Sequence, residues 1–209
     1  MNWYILIYKI TLWVDILPIA LFLFKLKYIN SKYSLLFSYT LVSCFSQWLS
    51  YFLASKLENN HFIINFYNAF EFIILFLIYS NFSNSLKFRK LLIIFLVIFF
   101  VIYGAEFRIN SLMENTLLYS SISYVFWAIL VFVHFMNRTS FILSDNIVFY
   151  YFNSSILLYF SVSTVLFFLF IYLNEKTIVY IWPIHNFFEI ISKLIITYAF
   201  WKIPSKSVS

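Results

Sequence analysis

Five ionisable side chains sit inside apolar runs, where solvating them is costly: Asp15, Glu71, His185, Glu189 and Lys193. Three of them share the stretch Trp182-Pro-Ile-His-Asn-Phe-Phe-Glu-Ile-Ile-Ser-Lys193 at a spacing of four and four, so one helical face carries His185, Glu189 and Lys193. A charge in hydrocarbon pairs, finds water, or serves ion and proton movement. Carboxylates, an imidazole and an ammonium are the groups from which a ligand pocket, a proton-sensitive switch or a proton relay is made.

Their depth in a bilayer decides which of them could meet. Taking spans one, three and seven to run inward, Glu71 lies about 14 Å and Glu189 about 16 Å below the outer end of its span. His185 and Asn68 fall at about 10 Å, and Gln47 of span two at about 12 Å. Asp15 and Lys193 both lie deeper, at about 20 Å. These depths permit a polar cluster of Gln47, Asn68, Glu71, His185 and Glu189, and an Asp15–Lys193 ion pair below it. Asn65, Asn68 and Glu71 repeat every three residues and so share a face of span three. Pro18 and Pro183 could kink spans one and seven and free backbone carbonyls nearby.

The elements that must hold these groups are transmembrane helices. The chain is 64% hydrophobic and 11% charged, against about 45–50% and about 25% in soluble domains. A spanning helix needs about 20 mostly apolar residues. Seven stretches qualify or nearly do: 2–24, 33–55, 62–81, 88–105, 116–136, 147–173 and 178–201. The expected fold is all-α, a single integral membrane domain over 1–209, multi-pass, in a bacterial inner membrane or its equivalent. The start of the chain lacks a basic region and a small-residue cleavage site, so it reads as the first span rather than a removable signal. Short loops predict antiparallel neighbours. The few residues after Trp201 leave no room for an output domain.

Twelve of the fourteen Lys and Arg side chains orient the bundle, since Lys9 and Lys193 lie within spans. Lys25, Lys27, Lys32, Lys87, Arg89, Lys90, Arg138, Lys202 and Lys206 collect on one side, and Lys56, Arg108 and Lys176 on the other. Nine against three places the N-terminus outside and the C-terminus in the cytoplasm. Lys9 is expected to snorkel to the outer surface. Trp3, Trp48, Trp182 and Trp201 lie near span ends, where indole rings anchor at the interface. The net charge of +6 is thus topological, and no nucleic-acid motif accompanies it.

Metal and covalent chemistry find little to build on. The single cysteine, Cys44, allows neither an intrachain disulfide nor a Cys metal motif. His61, His134 and His185 fall at different depths, so no metal site is expected. No nucleophile-elbow pattern occurs. His134 and Asp145, across the short inner loop, could form the acid/base pair of an intramembrane lipid hydrolase.

Two resemblances bear on function. Glu189-x-x-x-Lys193 in span seven, with Glu71 in span three, resembles the microbial rhodopsins over two short motifs. That resemblance implies retinal on Lys193 as a Schiff base, with Glu189 and Glu71 as counterions. The chain as a whole is similar to the small seven-helix bacterial modules found alone or ahead of sensor histidine kinases. His185-Asn186, followed by Glu189, Lys193 and Tyr198-Ala199-Phe200, looks like their closing helix. This implies a non-enzymatic sensory or regulatory module that needs no cofactor, sits in the lipid bilayer and meets a signalling partner protein through its cytoplasmic loops. A proton-coupled transporter or channel is the next expectation.

Overall fold

The computed structural model describes residues 3–26, 31–56, 59–82, 85–109, 111–136, 144–170, 172 and 175–203. Every regular element among them is an α-helix: α1 (Trp3–Val14), α2 (Ile16–Phe24), α3 (Ser31–Ser55), α4 (His61–Phe82), α5 (Leu86–Glu106), α6 (Glu114–Met136), α7 (Ser144–Phe170) and α8 (Glu175–Trp201). The sequence leaves few places for a helix to break. It has one Gly and three Pro, and in an apolar medium the helix keeps every backbone hydrogen bond within the segment.

The expected first span is divided at Asp15. Pro18 has no N–H, so the carbonyl four residues earlier, that of Val14, loses its helical partner. Asp15 itself keeps helical dihedrals (φ −60°, ψ −25°), and its N–H still reaches the Thr11 carbonyl at 3.0 Å. The two halves therefore make one apolar stretch, Leu6–Phe24, of 19 residues. Pro183 likewise has no N–H to donate, yet α8 is one helix through it.

Five stretches among the described residues are long and apolar enough to cross a membrane: Leu6–Phe24, His61–Phe82, Leu86–Glu106, Glu114–Val133 and Ile147–Leu169. The helices α3 and α8, at 25 and 27 residues, have the length and are less apolar than the others of that length. In α3 the deficit comes from seven serines and Gln47, and in α8 from His185, Asn186, Glu189, Ser192 and Lys193. Serine and threonine need no water here. Ser38, Ser121, Ser154, Ser163 and Thr197 each donate to the carbonyl four residues back, at 2.7–3.0 Å.

The chain forms two compact units, Met1–Asn30 with Tyr124–Ser209, and Ser31–Ser123; the boundary falls within α6. In the first unit, α8 packs against α7, α1 and α2. Three pairs fix the direction of the α2 contact: Asp15 with Lys193, Phe22 with Phe200, and Lys25 with Ile203. Each pair is 178 residues apart in the chain, so the first and last helical stretches run parallel and in register. Tyr124 of α6 meets Phe160 of α7 edge-on at 4.4 Å, and Asn153 of α7 donates to the Ala128 carbonyl at 3.1 Å.

In the second unit, α4 packs on α3 and α5. Phe72 stacks on Phe99 at 4.0 Å, and both are fully buried. Asn60 reaches back to the Ser50 hydroxyl at 2.7 Å, tying the start of α4 to α3. Glu106, the last residue of α5, accepts the N–H groups of Asn115 and Thr116 and the Thr116 hydroxyl, at 2.6–3.1 Å. A carboxylate there satisfies orphan donors and complements the positive end of the α6 dipole.

Candidate functional site

One face of α8 carries the chemistry. Its buried positions are Pro183, His185, Asn186, Glu189, Ser192, Lys193, Ile196, Ala199 and Phe200, the three-and-four spacing of a helix seam. The first half of that seam is polar and the second apolar. Leu194, Tyr198 and Trp201 face outward.

The seam's deepest charge is paired. Lys193 Nζ lies 2.9 Å from Asp15 Oδ1, with the two side chains 5% and 0% exposed. The equal depth inferred for these residues is therefore realised as contact. Asp15 holds its place because α1 and α2 join there and both pack on α8. Its carboxylate caps no helix, so nothing in its own backbone competes with the lysine. Taking two charges out of water costs several kcal/mol per ion, which only close pairing offsets. The pair thus ties the middle of the first stretch to the last helix.

His185 occupies an aromatic enclosure. Trp182 stacks beside it at 5.0 Å and 27°, Tyr159 of α7 meets it edge-on at 5.0 Å, and Phe167 lies at 6.1 Å. The imidazole is buried, and neither ring nitrogen makes a hydrogen bond of good geometry, although Asn186 is a polar neighbour. Below it, Glu189 is buried and Ser192 donates to the Ser155 carbonyl of α7 at 3.3 Å.

The other candidates belong to the second unit. Asn65, Asn68 and Glu71 are all buried on α4, as their spacing predicted. Glu71 accepts a hydrogen bond of 2.5 Å from the Tyr67 hydroxyl one turn earlier. Gln47 of α3 is half-buried. Asn65 is used structurally: its amide donates to the Arg108 and Ser111 carbonyls, both at 2.9 Å, and its oxygen accepts the Met113 N–H at 3.2 Å. Sequence reasoning assigned neither this clip nor the cap at Glu106. The Asn65-x-x-Asn68-x-x-Glu71 period marked the face, but nothing local marks a loop more than 40 residues away as its partner.

The side chains of His134 and Asp145 lie outside the described residues, as do Lys27, Arg138 and Lys206. Among the described residues no three His, Cys, Asp or Glu side chains gather as a metal-binding group. The chain matches no protein-family model, no curated protein and no solved structure.

Proposed function

We propose that this chain is a sensory or regulatory membrane module of seven spans, with its N-terminus outside and its C-terminus in the cytoplasm of a bacterial inner membrane. The observation that carries this reading is the Asp15–Lys193 pair at 2.9 Å, buried where the first stretch is broken and the last helix carries its polar seam. An ion pair across a helix interruption has the elements of a two-state device: a bond to make or break and a joint to move. Glu71, Glu189 and His185 supply further titratable or ligand-binding groups. Asn68 and Gln47 would serve with Glu71 on the second unit, and basic cytoplasmic loops would meet the partner protein.

Two variants test it in cells. Glu71→Gln keeps shape and removes a charge. The double variant Asp15→Leu with Lys193→Met removes both charges of the pair and leaves neither one stranded. Both proteins are expected in the membrane at wild-type levels, with a genome-wide transcript profile like that of a deletion strain. Wild-type profiles in both would sink the regulatory reading and leave the polar groups as interhelical glue, worth about 0.6 kcal/mol each on average.

One observation favours a second reading. A helix interrupted at an acidic residue in mid-span is also how transporters build ion and proton sites. Proton flux into proteoliposomes, measured with an entrapped pH dye and lost on Glu189→Gln, would establish that reading instead.

A further inference from the structure

A cavity of about 810 Å³ opens in the second unit, where the start of α4, the end of α5 and the start of α6 come together. It lies between two stretches apolar enough to cross a membrane, Leu86–Glu106 and Glu114–Val133, so it stands at a membrane surface whichever way the chain is oriented. Val101, Ile102 and Ala105, on one face of the last turns of α5, form its apolar side with Leu112. His61 of α4, Arg108 beyond α5, and Glu114 and Asn115 of α6 form its polar side. Val101 is 66% exposed, and Arg108 and Glu114 are exposed as well, so the protein itself does not fill it.

Two sets of polar side chains divide the work here. The first set builds the frame. Buried Asn65 holds the Arg108 and Ser111 carbonyls and the Met113 N–H, and Glu106 spends both carboxylate oxygens on the first turn of α6, at 2.6–3.2 Å. The backbone that carries Arg108 and Glu114 is therefore fixed from two directions, and a preformed site costs less to occupy. The second set lines the cavity. Among the described residues, the Arg108 guanidinium and the Glu114 carboxylate make no hydrogen bond or ion pair. His61 Nδ1 is shielded from solvent and makes no hydrogen bond either. Asn115 gives an amide N–H to Glu106 at 3.2 Å and keeps its carbonyl oxygen as an acceptor.

We propose that this cavity binds a free aliphatic α-amino acid, its carboxylate held by Arg108, its ammonium by Glu114 and its side chain by the apolar wall of α5. A guanidinium matches a carboxylate with two parallel N–H donors. An ammonium has three donors, which Glu114 and the Asn115 oxygen can accept. His61 adds a ring nitrogen to the polar side. A simple anion would meet Arg108 but be opposed by Glu114, and a simple cation would meet Glu114 but be opposed by Arg108. A molecule carrying both signs beside an apolar group satisfies the whole lining. The inference rests on the cavity and goes beyond the regulatory role, which it does not require.

The test is equilibrium dialysis of the purified full chain, in mild detergent at neutral pH, against three probes. They are L-leucine, isocaproate, which lacks the ammonium, and isoamylamine, which lacks the carboxylate. Wild type is expected to hold one L-leucine per chain, at least about tenfold more tightly than either analogue. Arg108→Gln should weaken L-leucine by about thirtyfold and remove its advantage over isoamylamine. Glu114→Gln should remove its advantage over isocaproate. Both side chains are exposed, so neither exchange disturbs a packed core. L-leucine held no better than its analogues by wild type, or an advantage over isoamylamine that survives Arg108→Gln, overturns the proposal. Uptake of glycerophosphoethanolamine in place of L-leucine also overturns it, and would make the cavity a site for a lipid headgroup. The wild-type comparison stands even if a variant fails to fold, and it is independent of the transcript profiles that test the regulatory role.

Discussion

At the scale of single residues, the Asp15–Lys193 pair makes a prediction with a definite sign. If Lys193 becomes Met, Asp15 is left in hydrocarbon and must take up a proton; an ordinary Asp, titrating near 3.9, needs about 4 kcal/mol for that at pH 7. If Asp15 becomes Leu, Lys193 must give a proton up, at a similar cost from about 10.4. Each single variant is therefore expected to lose about 3–4 kcal/mol, bounded by these neutralisation costs. The double variant should lie close to wild type, since no stranded charge remains. Denaturant unfolding in micelles measures all four corners of the cycle. Additive losses in the double variant would show that the two side chains do not interact. This pair was legible from sequence because depth in a bilayer is set by counting residues, and its two members count to the same depth. The enclosure of His185 was not legible. The rings of Tyr159 and Phe167 come from α7, and a chain with 25% aromatic residues offers no means of choosing among them.

At the scale of elements, hydropathy found five of the seven expected spans and undervalued α3 and α8 for a physical reason. Averaging apolar character over a window penalises a helix for the polar side chains that its neighbours satisfy. Helix limits shifted by a few residues from the sequence expectation: α5 begins at Leu86 and α7 at Ser144, because end residues are decided by caps and loops rather than by periodicity. The Asn65 clip shows how such a loop is held. Its three hydrogen bonds anchor Arg108, Ser111 and Met113, between α5 and α6, to the first turns of α4. Asn65→Ala removes all three, which at net values near 1 kcal/mol each, reduced by water at the loop, amounts to about 2 kcal/mol. Hydrogen–deuterium exchange locates the effect: the Met113 amide, bonded to the Asn65 oxygen, should lose protection while amides in the middle of α4 keep theirs. Unchanged exchange at Met113 would mean that the loop is held by other contacts.

At the scale of the whole molecule, the parallel register of the first and last stretches constrains topology. Two membrane helices that run the same way have an odd number of crossings between them, so the count from the first stretch through α8 is odd. The seven crossings proposed above satisfy that, with the break at Asp15 counted inside the first. The proposed direction rests on the cation asymmetry, nine on one side against three on the other. Single cysteines report it directly once Cys44, small and buried, is replaced by Ser. Cysteine at Lys56 or Arg108 should react with a membrane-impermeant maleimide on intact cells. Cysteine at Arg89 or Lys202 should react only after permeabilisation. The inverse pattern would keep the proposed seven crossings and reverse the orientation. Labelling of positions 89 and 108 from the same side would remove α5 from the membrane, and with it the odd count that the register of α2 and α8 requires.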